Sequence, residues 1–118
     1  IFLHRDPDPP PLSDADTAEA PLTEWQWRYQ QARHQDESRR LGDLIAERLS
    51  ALPGAPAVAI ETAHLPVLAG ADRPALMLEF GDLNNAAGEE RLTSNAWQQD
   101  VAGAIADAAH AFITPIRP

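Results

Sequence analysis

Residues 75–80 read Ala-Leu-Met-Leu-Glu-Phe, with no polar residue until Glu79. An apolar run of that length, lacking polar alternation and bounded by Pro74 and Gly81, is the pattern of a strand covered on both faces. Such a strand must lie inside a sheet with layers above and below it. The run is therefore predicted as the centre of the sheet, delivering one carboxylate to the Gly/Asn-rich turn that follows. In open α/β sheets ligands bind outside the carboxyl ends of the strands, which makes Glu79 the first candidate for a reactive group.

The rest of the chain supplies the other layers. Residues 1–4 form a short strand candidate and read like the end of a buried strand, so sequence upstream of Ile1 is expected. Residues 5–21 hold five of the eleven prolines among Asp, Ser and Ala, the composition of a loop or linker. Leu41, Leu44, Ile45, Leu49 and Leu52 recur at helical spacing until Pro53-Gly54, predicting a helix over about 23–52, kinked or broken near 35–38. Residues 57–60 are a second strand candidate. Residues 65–68 are a third, assigned to an edge because Pro66 cannot donate to a ladder. A last helix begins near Ala96, capped by Thr93 or Ser94, runs through Trp97, Val101, Ile105, Ala108 and Phe112, and ends before Pro115. Strands alternating with helices predict an α/β fold, a largely parallel sheet flanked by helices, with no internal repeat. The expected division is a strand end plus Pro/Asp-rich loop over 1–21, and an α/β portion over 22–118.

Composition removes several function classes. The formal net charge is -9 and the sequence pI about 4.6, which argues against nucleic acid or an anionic membrane surface as the main partner. All nine basic residues are Arg, so Schiff-base lysine chemistry and a P-loop lysine are excluded. The absence of Cys removes thiol catalysis, disulfides and thiolate metal sites. No apolar run approaches the roughly 20 residues needed to span a bilayer.

A longer pattern surrounds Glu79. Val67-Leu68, then Pro74-Ala75-Leu76-Met77-Leu78-Glu79-Phe80-Gly81, Leu83-Asn84-Asn85 and Glu89-Glu90-Arg91-Leu92 occur in that order. Upstream stand Trp27, Gln31, Ala32, Arg33, His34, Ser38 and Leu41. This order resembles the C-terminal part of the catalytic domain of bacterial zinc-dependent N-acetylmuramoyl-L-alanine amidases, from about Trp27 to Phe112. That family cuts the bond between muramic acid and the first peptide residue of peptidoglycan. One departure is Asp82, which stands where the family has an aromatic residue.

The resemblance implies an incomplete amidase domain of phosphorylase/hydrolase-like α/β type. It implies Glu79 as general base, taking a proton from a zinc-bound water and passing it to the leaving amide nitrogen. The alternative for Glu79 is a carboxylate that caps a loop or pairs with Arg73 or Arg91. The segment Phe2-Leu3-His4-Arg5-Asp6 has the outline of the family's strand-end histidine, which implies His4 as a zinc ligand; the alternative is a solvated residue near a terminus. Zinc hydrolases need three protein ligands plus water, and the family's Asp-x-Gly-His-Gly-Gly loop and ligand glutamate have no counterpart in these residues. His34 and His64 do not substitute for them on spacing, and His110 reads as surface or packing. Trp25, Trp27 and Trp97 could stack on sugars but at helical spacing read as core. Arg39 and Arg40 follow a candidate N-cap, Ser38, and read as solvated helix charges. The His4-to-Asp8 run lacks the glycine and distal Glu of a calcium loop.

The function expected from the resemblance is zinc-dependent peptidoglycan hydrolysis. This chain would carry the C-terminal half of the domain and be inactive alone. The expected partners are peptidoglycan or muropeptide, with self-association or pairing with an upstream half, and the expected location is periplasmic or extracellular. The rival from another class is a non-catalytic envelope interaction domain derived from such an amidase.

Overall fold

A computed structural model describes residues 1–5 and 30–114. The expectations for the Pro/Asp-rich loop, the first turns of the long helix, and Trp25 and Trp27 lie outside the described residues.

Two long helices make the core. A 3-10 helix, Gln30–His34, runs directly into α1, Gln35–Ser50, so the expected break near 35–38 falls at this junction. Asp36 and Glu37 occupy the first turn of α1, where carboxylates complement the partial positive charge of exposed N–H groups. Later in the chain come α2, the single turn Pro66–Ala69, then α3, Ala86–Thr93, and α4, Asn95–Ile113. Ser94 caps α4 by accepting from the Trp97 N–H, as its position predicts. Ile45 and Leu49 of α1 are buried against Val101, Ala104 and Ala108 of α4. Alanine at 104 and 108 lets the two helices approach closely, and Leu41, Leu44, Trp97 and Ile105 close the flanks half-buried. At the open end of the pair, the Arg40 guanidinium lies 5.0 Å from the centre of the Phe112 ring. It also donates to the Phe112 carbonyl at 3.5 Å, near the C-terminus of α4.

The sheet is smaller than its sequence suggested. β1, Phe2–His4, pairs in parallel with β2, Glu61–Ala63, in the register Phe2 to Glu61 and His4 to Ala63. The ladder reaches back past the strand ends, since the Ile1 amino group donates to Ala59 O and Glu61 N–H donates to Ile1 O. Two expected strands are corrected here. Residues 57–60 only lead into β2, and residues 65–68 start a helical turn in which Pro66 takes the first position, where its missing N–H costs nothing.

The third correction concerns residues 75–80. They make one isolated antiparallel bridge, Met77 to Phe2, so β1 and not this run is the middle of the sheet. The physical reason is parity. Leu76 and Leu78 pack onto the helix core while Met77 and Glu79 take the other face, and Glu79 and Phe80 are exposed. Pro74 at one end and Gly81, with φ 137°, at the other leave room for little pairing between them. A short parallel pair beside a helix layer is compatible with an incomplete α/β domain. The sequence reading missed α3, which grows out of the Gly/Asn-rich turn.

Candidate functional site

Glu79 is placed by backbone anchors on both sides. Upstream, the Ala75 N–H donates to Ser38 Oγ at 3.0 Å, and Met77 exchanges both backbone hydrogen bonds with Phe2, at 2.8 and 2.9 Å. Ser38 is therefore not an N-cap but a buried acceptor inside α1; it also receives the Gln31 side-chain amide at 2.8 Å. Downstream, Gly81 turns the chain with a φ that only glycine adopts without strain. Asp82 then accepts from the Asn84 N–H at 2.8 Å. Asn85 caps α3 by accepting from the Gly88 N–H at 2.7 Å. A Cβ on Gly88 would sit 2.5 Å from the Asp82 carbonyl, so the loop closes only with glycine there. Where the family has an aromatic, the Asp82 side chain supports the loop by hydrogen bonding instead.

Glu79 lines both of two neighbouring clefts. One, of about 230 Å³, has an apolar floor that includes Leu49, Val58, Leu78, Trp97 and Val101. The other, of about 740 Å³ and more open, is bordered by residues 57–61 and 79–83 and carries Glu61 and Asp82 beside Glu79. Glu61 was not singled out from the sequence, because nothing local marks it, and Asp82 stood out only as the residue in place of the family's aromatic. Among the described residues no salt bridge joins Glu79 to Arg73 or Arg91. Arg91 lies over the Trp97 ring instead, 5.7 Å from its centre.

His4 occupies the other end of β1. Because Met77 faces Phe2 in antiparallel fashion, Ala75 falls level with His4, whereas Glu79 falls level with the position before Ile1. Four residues of strand, about 13 Å, separate the two along β1. By the carboxyl-end rule it is His4 that stands at the ligand-binding edge of the parallel pair. Beside it is His64, which immediately follows β2, with ring centres 5.7 Å apart. Nothing local to either histidine marks this pairing, since the register of β1 on β2 alone creates it. His110 is exposed in the last turn of α4.

The family's implied zinc can be tested against His4. Its ring is buried, and Nδ1 accepts the Leu65 N–H at 2.9 Å. A neutral imidazole with an occupied acceptor at Nδ1 carries its proton on Nε2, which leaves neither nitrogen lone pair for a metal. Metal-bound histidines hold the opposite arrangement, donating from the non-ligating nitrogen. Among the described residues no group of three or more His, Cys, Asp or Glu is close enough to hold a metal ion. His4 as arranged here does not fit zinc ligation.

Among the described residues, His34 is a titratable group that the fold perturbs. Nδ1 lies 2.9 Å from Glu37 and Nε2 lies 3.1 Å from Asp72. The hydrogen bond to Glu37 first, and that to Asp72 second, raise its pKa above the ordinary 6.5. The His34 ring thus clasps the start of α1 to the loop before Pro74, the loop that leads to Glu79.

No helix among the described residues is long and apolar enough to cross a membrane. No curated protein and no solved structure gives a significant match to the chain. The N-acetylmuramoyl-L-alanine amidase family matches residues 16–111, which is most of the 118 residues, and the chain belongs to that family.

Proposed function

We propose that this chain serves cleavage of the N-acetylmuramoyl-L-alanine amide bond of peptidoglycan at the cell envelope, with Glu79 as the proton acceptor. The observation that carries this reading is an exposed glutamate, without a salt bridge among the described residues, lining an apolar-floored cleft at the position the family resemblance implies. Water adds to the amide carbon, Glu79 takes its proton, and the same proton passes to the departing nitrogen as the C–N bond breaks. Amide hydrolysis then balances: one water is consumed, its oxygen ends in the new carboxyl group, the amine leaves, and Glu79 returns to its starting state.

In the same reading residues 22–118 contribute the C-terminal part of the domain, and residues 1–21 a strand end and its loop. Peptidoglycan or muropeptide is the substrate, periplasmic or extracellular space is the location, and self-association or pairing with an upstream half completes the fold. Zinc belongs to the complete domain on family grounds, and the His4 geometry does not supply its ligand.

One observation favours the second reading, a non-catalytic envelope interaction domain: His4 has its Nδ1 committed to the Leu65 N–H. The two part on a single experiment. Muropeptide release is measured from a preparation carrying the complete domain, with Glu79 and with Glu79→Gln. Loss of release at unchanged melting temperature supports catalysis. Equal release by both, or none by either, replaces it with the interaction reading.

A further inference from the structure

The His34 ring meets a carboxylate at each of its nitrogens, and the two carboxylates come from separate parts of the chain. Glu37 faces Nδ1 at 2.9 Å from the first turn of α1, while Asp72, 38 residues further on, faces Nε2 at 3.1 Å from the loop that follows α2. An ionised carboxylate only accepts hydrogen bonds, and an imidazole offers two donors only when it is protonated. Both contacts are therefore hydrogen bonds in the imidazolium alone. In the neutral ring one of them sets a nitrogen lone pair against a carboxylate oxygen.

Chain connectivity decides which contact the neutral ring gives up. Glu37 lies three residues away at the start of the same helix, so its bond fixes little that the helix has not already fixed. Asp72 is reached only by ordering a separate loop, at a cost in conformational freedom. Around that loop the Ala71 N–H donates to Leu68 O at 2.9 Å, and the Ala75 N–H donates to Ser38 Oγ at 3.0 Å. Between these two anchors, among the described residues, the Asp72 side chain is bonded to His34 alone. Glu37 and Asp72 are also the charges that act on the ring among the described residues, and α2, which packs against the 3-10 helix, carries no titratable side chain.

We propose that His34 is a proton-operated latch: protonated, it ties the loop 70–74 to the start of α1, and neutral, it keeps Glu37 and releases Asp72. The same coupling read in reverse is the pull of Glu37, and then of Asp72, that raises the ring's pKa above 6.5. The latch closes as pH falls through that raised value and opens as pH rises through it. Ser38 holds Ala75 at either pH, so the released stretch ends at Pro74 and the segment leading to Glu79 stays tied to β1. The inference stands apart from the amidase reading, since it needs neither a metal nor hydrolysis.

The test records ¹⁵N relaxation and the His34 ring resonances of the labelled 118-residue chain from about pH 5 to about pH 9, a range that spans imidazole titration. Order parameters of the Asp72 and Arg73 amides are expected to fall from about 0.85, a rigid backbone, toward about 0.6 as pH rises. The midpoint of that fall should coincide with the titration of the His34 ring, while Ala104 in the helix core stays rigid throughout. Asp72→Asn should keep the loop ordered across the range, because its amide accepts from the imidazolium and donates to the neutral ring. Asp72→Ala should leave the loop mobile at both extremes. Asp72 is exposed, so both variants are expected to fold, with melting temperature as the control. A parent loop equally ordered at both extremes, a fall that Asp72→Asn retains, or a midpoint that follows another histidine overturns the proposal.

Discussion

The two ends of β1 treat their polar residues in opposite ways. At the carboxyl end His4 is 4 % exposed, its Nδ1 holds the Leu65 N–H, and Ser38 nearby accepts from both Gln31 and Ala75. Each of these groups satisfies a neighbour, and removing one would strand a donor away from water. At the amino end Glu79 is exposed, without a salt bridge among the described residues, and opens onto two clefts. A buried polar group with its partners in place is a structural element, because unmaking its bond costs more than making it gains. A carboxylate held in place by its backbone alone keeps its oxygens for something else. The end that the carboxyl-end rule favours is thus the committed one, and the end left open carries the residue that family membership points to.

The largest effect should come from Glu79→Gln, which deletes the proton acceptor and preserves shape. In a preparation carrying the complete domain we expect muropeptide release to fall by about 10²- to 10⁴-fold, the usual size of a general acid-base contribution. Melting temperature should stay unchanged, since the side chain is exposed. A fall in stability that tracks the fall in activity would erase the contrast between the two ends.

Ser38→Ala should strike the committed end hardest. It leaves the Gln31 amide and the Ala75 N–H without their acceptor, at about 1–3 kcal/mol for each stranded donor. Urea unfolding reads this as a lower midpoint at constant slope. An unchanged midpoint would mean that water replaces the hydroxyl, and that this end is less closed than the geometry indicates.

His4→Phe strands the Leu65 N–H and should cost about 1–3 kcal/mol for that donor. Zinc calorimetry on the same pair sharpens the contrast: neither protein should bind zinc stoichiometrically. Tight binding by the parent that His4→Phe abolishes would show that the ring turns to the other tautomer when metal arrives.

The smallest effect belongs to His34. Its pKa is raised by Glu37 and then Asp72, so protonation favours the folded state. That stabilisation is fully present below the ordinary imidazole value of 6.5 and is lost as pH rises through the raised value in the folded protein. Both carboxylates are largely exposed, at 58 % and 69 %, and solvent screening keeps the gain small. His34→Gln should unfold at lower urea than the parent in acid and at nearly the same urea once pH is well above the raised value. A gap that widens with pH would reverse the assigned sign.

What the sequence determined by itself is what depends on spacing along one element. The stripe from Leu41 to Leu52, the Ser94 cap and the break before α1 are local, because helix periodicity and capping are set by residues within one or two turns. The ordered motif around Glu79 likewise carries family membership without any fold. Tertiary structure alone decided the rest. An apolar run such as residues 75–80 does not state which neighbours it will have, and pairing Met77 antiparallel to Phe2 sent Glu79 to the end away from His4. The register of β1 on β2 brought His4 beside His64, and the packing of α1 made Ser38 an acceptor rather than a cap. Strand pairing is made by backbone groups that every residue carries. Side-chain identity therefore constrains it weakly, and the placement of the site waits on the contacts that only the folded chain supplies.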